Sequence, residues 1–428
     1  MRRFHVGEPA FDADLAAYAR APRGMPQAVE ATVTAIIAAV RERGLEAVLR
    51  LGAELDGVTL TESELRLDEG AIAAGAKACP ADVRQALRLA AQRIDAYHQR
   101  LRPEDGGFTD AEGIKLGWRW TPLDAVGIYV PGGRAAYPST VLMNAIPAKV
   151  AGVKRIAMAS PPARLDPAVL AAAHEAGVTE IWRVGGAQAV AALAYGAGPI
   201  QPVDKIVGPG NAYVTAAKRQ VFGQVGIDSL AGPSEILVVA DTANDPAWIA
   251  ADLLSQAEHD PDARAVLITD TAAFADQVEA EIGRQLSALP TRQVAEAAWR
   301  DHGAVIIAPL ARAAELANLL APEHLELAVD GAEKMAAEIR HAGAIFLGRH
   351  TPEALGDYVA GPNHVLPTNR AARYASGLST LDFLKRSSLT SCPPAGFAAI
   401  APAAHILAEA EGLPAHALSL ALRLANPA

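Results

Sequence analysis

Two cysteines in 428 residues, Cys79 and Cys392, supply neither a disulfide framework nor a paired Cys-x-x-Cys metal site. Cys79 precedes a proline and Cys392 lies in "SLTSCPPAG", and neither has an adjacent histidine base. A thiolate nucleophile is therefore not expected. No uncharged apolar run reaches the roughly 18 residues that cross a bilayer. The opening "MRRFHVGEPAFDADL" lacks the apolar segment of an export signal, so a cytoplasmic protein is expected. An excess of cations is missing too. The formal charge of −10 gives no support to a nucleic-acid or anionic-membrane surface. An anionic cofactor is not excluded by that charge, because backbone amides bind phosphate locally. No His-Glu-x-x-His helix is present.

What is present is 51% hydrophobic and 20% charged, a globular composition in a chain long enough for two or three domains. From residue 120 onward short apolar runs alternate with alanine-rich helical stretches. The runs are "AVGIYVPGG", "RIAMAS", "EIWRVGG", "KIVGPG", "EILVVAD", "AVLITD", "AVIIAP" and "AIFLG". This grammar predicts parallel sheets with helices on both faces, binding ligands at the carboxyl ends of their strands. Asp166-Pro167-Ala168 and Asp245-Pro246-Ala247 both read as helix starts after a strand. The first 120 residues read as mainly helical, with a polar hairpin-like piece at "EGIKLGWRWTPL". The end of the chain, from "RAARYASG", reads as a helical tail.

Five stretches could carry chemistry. In "NDPAWIAADLLSQAEHDPD", Ile249 and Leu253 face one way and Gln256 then His259 continue the stripe, which puts a polar pair on the buried helix face. Buried polar groups without partners cost about 1–3 kcal/mol each, so the pair calls for a partner. The alternative is His259 facing the negative end of the helix dipole. In "LAPEHLELAV", Glu323-His324 stands at a strand entrance, where a carboxylate beside an imidazole can form an acid/base pair or a purely structural one. "LGDYVAGPNHVLPT" carries Asp357 and His364 in a Gly/Pro loop. "EAEGLPAHALSLALRL" places Glu411 ahead of a helix whose first turn holds His416, kept neutral by the dipole and so in the form that ligates metals. "KIVGPGNAYV" opens like a dinucleotide fingerprint, but Tyr213 replaces the third glycine. No acidic residue stands about 20 residues on at the end of a second strand in the manner that fingerprint requires. The residues alone reach an α/β enzyme with a nucleotide cofactor.

Taken together, "GIYVPGGRAAYPSTVLMNAIPAKVAG", "VGGAQAVAALAYG", "KIVGPGNAYV", "DSLAGPSEILVVAD", "LLSQAEHD", "APEHLEL", "GDYVAGPNHVLPT" and "AEAEGLPAHA" resemble the histidinol dehydrogenase family over nearly the whole chain. The resemblance implies an α/β fold of two incomplete Rossmann-like parallel-sheet domains with helices on both faces, plus small terminal helical segments. It divides the chain into an N-terminal arm (1–22), a first domain (23–126 with 236–372), a second, NAD-side domain (127–235), and a tail (373–428) crossing to a partner subunit. It implies NAD and one zinc ion per subunit. The zinc ligands match Gln256, His259, Asp357 and His416, and the NAD contacts match Tyr129, Gln188 and Asn211. Glu323 and His324 match the acid/base pair. Ser234, Gln256, His259, His324, Asp357, His364, Glu411 and His416 match substrate contacts, with Glu411 and His416 coming from the other chain of a homodimer. The implied reaction is the four-electron oxidation of L-histidinol to L-histidine through L-histidinal. Without a cysteine to trap the aldehyde, the second step runs through its hydrate. His324 then takes the alcohol proton and Glu323 activates water. Two rival readings are a dehydrogenase of another small alcohol, such as a sulfonated diol, and a two-lobed binding protein without catalysis. Glu411 and His416 speak against the first, and Glu323-His324 has no purpose in the second.

Overall fold

All eight apolar runs become strands, and those with continuous apolar sequence, such as Ala125–Tyr129, Glu235–Ala240 and Arg264–Thr269, are buried on both faces. The computed structural model describes residues 1–21, 27–132 and 137–425. Gly133 and Arg134, expected in a glycine-rich turn, lie outside the described residues.

One sheet runs in the order Arg66–Leu67, Glu180–Arg183, Arg155–Ser160, Ala125–Tyr129, Lys205–Val207 and Gly226–Ile227. It is parallel apart from the short Arg66–Leu67 strand. The other runs Arg2–His5, Ala304–Ile307, Arg264–Thr269, Glu235–Ala240, His324–Ala328 and Ala344–Leu347, parallel throughout. Setting the added edge strands Arg66–Leu67 and Arg2–His5 aside, each sheet reads 3-2-1-4-5 in chain order, the dinucleotide-fold order without its sixth strand. Asp166 and Asp245 cap their helices as expected, accepting from Val169 N at 2.9 Å and Ala247 N at 2.8 Å. No helix among the described residues is long and apolar enough to cross a membrane.

Three boundaries differ from expectation. The expected N-terminal arm, 1–22, contributes to a sheet: Arg2–His5 is an edge strand beside Ala304–Ile307. Phe4, Phe11, Leu15 and Tyr18 join the core of that sheet. Residues 27–55 do not belong with the 235–347 sheet. Val29, Val33, Ile37 and Val40 form the apolar stripe of helix Gln27–Arg43, and they bury against Ala191, Leu193 and Val214 on the helices of the other sheet. The tail is not wholly helical. Arg102–Leu123 and Leu384–Ala428 make a separate compact unit, in which Leu384–Ser391 pairs antiparallel with Lys115–Pro122, itself paired with Gly106–Thr109. Helices Pro394–Ala410 and Pro414–Ala425 follow and pack on each other.

Candidate active site

Within the larger unit a cleft of about 1030 Å³ gathers residues from both sheets. The 125–227 sheet contributes the carboxyl ends of its strands, where ligands of such folds bind. Tyr129 ends the first strand, Gln188 lies in the first turn of helix Gly186–Tyr195, and Asn211 caps helix Ala212–Val221. The 235–347 sheet contributes the opposite edge. Ser234 precedes the strand Glu235–Ala240, Glu323 and His324 open the strand His324–Ala328, and Gln256 closes the helix that returns from the far side.

The wall built by the 125–227 sheet is tied together by buried hydrogen bonds. The buried Tyr129 hydroxyl accepts from Gly186 N at 3.0 Å, and burial pushes its pKa up to about 12. Gln188 is fully buried with its Oε1 unpartnered. A buried ion pair, Lys218–Asp228, holds both polar groups of the Gly208 peptide. Lys218 Nζ donates to Gly208 O at 2.9 Å, and Gly208 N donates to Asp228 Oδ2 at 2.8 Å. Gly208 has φ +109°, and a Cβ there would lie 2.3 Å from Tyr129 O, so only glycine fits. The sequence reading missed this clamp.

On the other wall a single residue orients both Glu323 and His324. Glu323 Oε2 accepts from Glu235 N at 2.9 Å, and His324 Nδ1 is 2.9 Å from Glu235 O. A carbonyl only accepts, so Nδ1 carries the proton and Nε2 keeps its lone pair. That Nε2 is buried without a partner, 3.7 Å from Glu353 Oε1 and 4.0 Å from Asp357 Oδ1. Burial pushes the His324 pKa down to about 4. Burial, with the charges of Glu235, Asp357 and Glu353 adding to it, raises the Glu323 carboxyl well above its usual range. The two side chains stand 3.7 Å apart and do not hydrogen-bond. His364 donates from Nδ1 to Asp357 O at 3.0 Å and lies 3.4 Å from Thr140 Oγ1 through Nε2. Its pKa is also pushed to about 4 by burial.

Of the four expected metal ligands, Asp357 joins His324 and Glu353 in a group whose donor atoms lie within 4.8 Å of one another. Glu353 was not anticipated, although it sits one turn before Asp357 on helix Glu353–Tyr358. Gln256 is buried as expected, with its Oε1 unpartnered. His259 is not on the buried helix face: the helix ends at Ala257, and a turn carries an exposed His259 to the rim of the cleft. Gln256 Oε1, a buried acceptor without a donor, lines the same cleft as the Asp357 carboxylate and the His259 imidazole, and N and O donors of this kind fit a divalent cation such as zinc. Glu411 and His416 belong to the second unit, where both are exposed.

The histidinol dehydrogenase family model matches residues 20–424. The chain belongs to that family. It is 64% identical to a histidinol dehydrogenase of Caulobacter vibrioides across 99% of both chains. It is 56% identical to that of Gluconobacter oxydans, again across 99% of both. Its fold matches the crystal structure of histidinol dehydrogenase from Elizabethkingia anophelis with a TM-score of 0.93 and 34% identity, covering 99% of this chain and 98% of that one. The expected α/β architecture and family are thus both found.

Behind His324 this family member pairs the buried Glu326 carboxyl with a half-buried one. Glu326, two residues along the same strand, faces Asp252 on helix Pro246–Ala257. Burial first, then Asp252, push the Glu326 pKa up to about 9. A folded-state pKa above the unfolded value of about 4.3 means that the native state holds the proton more tightly. That contribution is complete below pH about 4.3 and is lost as pH rises toward about 9. Metal-free protein should therefore melt at lower temperature at pH 9 than at pH 6. Glu326→Gln should flatten the slope by up to about 1.4 kcal/mol per pH unit. Identical pH-dependence in the Gln variant would show that the pair does not set it.

Proposed function

We propose that the protein oxidises L-histidinol to L-histidine through L-histidinal, using NAD and one zinc ion per subunit. One observation carries this reading: a single cleft joins a neutral, oriented imidazole and a carboxyl of raised pKa to a wall built like a dinucleotide site. NAD, when bound, accepts the hydride, and zinc, when bound, anchors the substrate's imidazole and amine. Tyr129, Gln188 and Asn211 hold the dinucleotide. Gln256, His259, Asp357 and His416 hold the metal. Ser234 and His364, with Glu411 and the metal-side residues, orient the amino alcohol. His324 Nε2 takes the hydroxyl proton in the first oxidation. Glu323 takes a proton from the water that attacks the aldehyde carbon in the second. Glu411 and His416 complete the site of a second copy of the chain. Exposed apolar side chains on the two helices that flank Glu411, Ile406 at 65% on Pro394–Ala410 and Leu422 at 57% on Pro414–Ala425, support burial in a dimer.

Purified enzyme should form two NADH per histidinol, lose activity on chelation, regain it with zinc, and leave sulfonated diols unoxidised. Full activity in protein shown to be metal-free overturns the metal assignment, and turnover of the diol in place of histidinol overturns the substrate. Mixing His416→Ala with Glu323→Gln chains should restore some activity. No recovery in proven hetero-dimers would mean that each site is built from one chain.

A further inference from the structure

Dinucleotide folds place an acidic side chain about 20 residues beyond the glycine turn, where it accepts from the ribose 2′-hydroxyl. In the 125–227 sheet the second strand ends at Ser160 and runs into Pro161-Pro162, with no carboxylate in sequence. A carboxylate nevertheless stands there. Asp56 ends helix Leu45–Leu55, more than a hundred residues earlier, and the packing of that helix delivers it to this strand end. A Cβ on Gly185 would lie 3.0 Å from Asp56 Oδ1 and 2.6 Å from Pro161 Cγ, so Asp56, Pro161 and the end of the third strand meet at one point. Asp56, Pro161, Gln188 and Tyr129 line the same cleft.

The simpler account makes Asp56 a cap. Its Oδ2 accepts from Gly185 N and from Gln188 Nε2, both at 3.3 Å, at the start of helix Gly186–Tyr195. Both contacts are at the long edge of hydrogen bonding, and both fall on one oxygen. Among the described residues no hydrogen bond uses Oδ1 and no lysine or arginine pairs with the group. A cap alone does not need an un-neutralised carboxylate on the wall of a cofactor cleft. The same charge also makes this helix start a poor place for a phosphate, which helix N-termini otherwise attract.

We propose that Asp56 selects the unphosphorylated dinucleotide, accepting hydrogen bonds from the adenosine ribose hydroxyls and repelling a 2′-phosphate. The inference rests on the NAD reading above and names the residue that enforces it. Attraction to the hydroxyl and repulsion of the phosphate act in the same direction, so the discrimination comes from one charge.

Titration calorimetry on the zinc-loaded enzyme tests this without turnover. Wild type should bind NAD more tightly than NADP, and more tightly than 2′-deoxy-NAD by roughly tenfold, the scale of a hydrogen bond to a charged acceptor. In Asp56→Asn the NAD-to-NADP preference should fall by about tenfold or more, and the penalty for the missing 2′-hydroxyl should shrink. An unchanged preference in a folded Asp56→Asn enzyme means that Asp56 is only a cap. If that variant does not fold, wild type still decides: equal affinity for NAD and 2′-deoxy-NAD overturns the proposal. Failure of wild type to bind NAD at all is a different result. It overturns the cofactor reading and takes this inference with it.

Discussion

In Glu323→Gln enzyme, histidinol should be oxidised once and no further, giving close to one NADH per site where wild type gives two per turnover. Glutamine keeps the length of the side chain, and its carbonyl oxygen can still accept from Glu235 N, so the geometry of the wall survives. What it loses is the proton acceptor. Burial raises the Glu323 carboxyl, which brings it toward the pH at which a general base works best. The first oxidation needs no attacking water and should proceed. The second should slow by about 10²–10⁴-fold, the usual worth of a general base. In wild type the aldehyde-to-acid step should accelerate as pH rises, because the base is active only once deprotonated and its pKa is raised. The decisive assay supplies histidinal directly. Oxidation of histidinal by Glu323→Gln at the wild-type rate would show that Glu323 does not activate water. It could not then be reassigned to holding His324, since the Nδ1 proton goes to Glu235 O and Glu323 stands 3.7 Å away.

The parts of this fold that could be read from sequence are those whose environment is uniform. Strands such as Glu235–Ala240 and Arg264–Thr269 are buried on both faces and spell continuous apolar runs. Arg2–His5 and Leu384–Ser391 spell "RRFH" and "LKRSSLTS", because each has an exposed side, and so they passed as arm and tail. The stripe on helix Gln27–Arg43 announces a buried face but not its partner, and only the packing shows that the partner is the 125–227 sheet. The site divides in the same way. Glu323 and His324 are visible because they adjoin in sequence. Gln256 was correctly read as a buried polar residue in want of a partner. His259 was carried too far along the helical period, since Asp260-Pro261 ends the helix before His259 rather than after it. Glu353 had a usable signal, its four-residue offset from Asp357, but a helix as short as Glu353–Tyr358 rarely announces itself in sequence. Asp56 and the Lys218–Asp228 clamp had none, because only tertiary packing brings them to the cleft.

His324→Ala should fail earlier than Glu323→Gln, with no burst of NADH at all. The imidazole donates from Nδ1 to Glu235 O, which leaves Nε2 as the one lone pair it can offer a substrate hydroxyl. Removing it takes away the base for the first proton and strands the Glu235 carbonyl. The expected loss in the first hydride transfer is again about 10²–10⁴-fold. A milder variant guards against a purely structural effect: His324→Asn can still donate to that carbonyl from its side-chain amide, yet it has no basic nitrogen, so it should be as slow as His324→Ala while folding better. The pH profile gives an independent reading. An ordinary histidine titrates near pH 6.5, but burial pushes His324 down to about 4, and a neighbouring cation would push it the same way. The neutral, base-competent form therefore persists well below neutrality. Stopped-flow traces of the first hydride transfer should show a rate that does not fall between about pH 8 and pH 5.5 on account of this group. A wild-type burst in both variants would remove His324 from the chemistry. An acidic limb centred near pH 6.5 that disappears in His324→Asn would mean that the imidazole is solvated during turnover, and that the burial of His324 is lost before the proton moves.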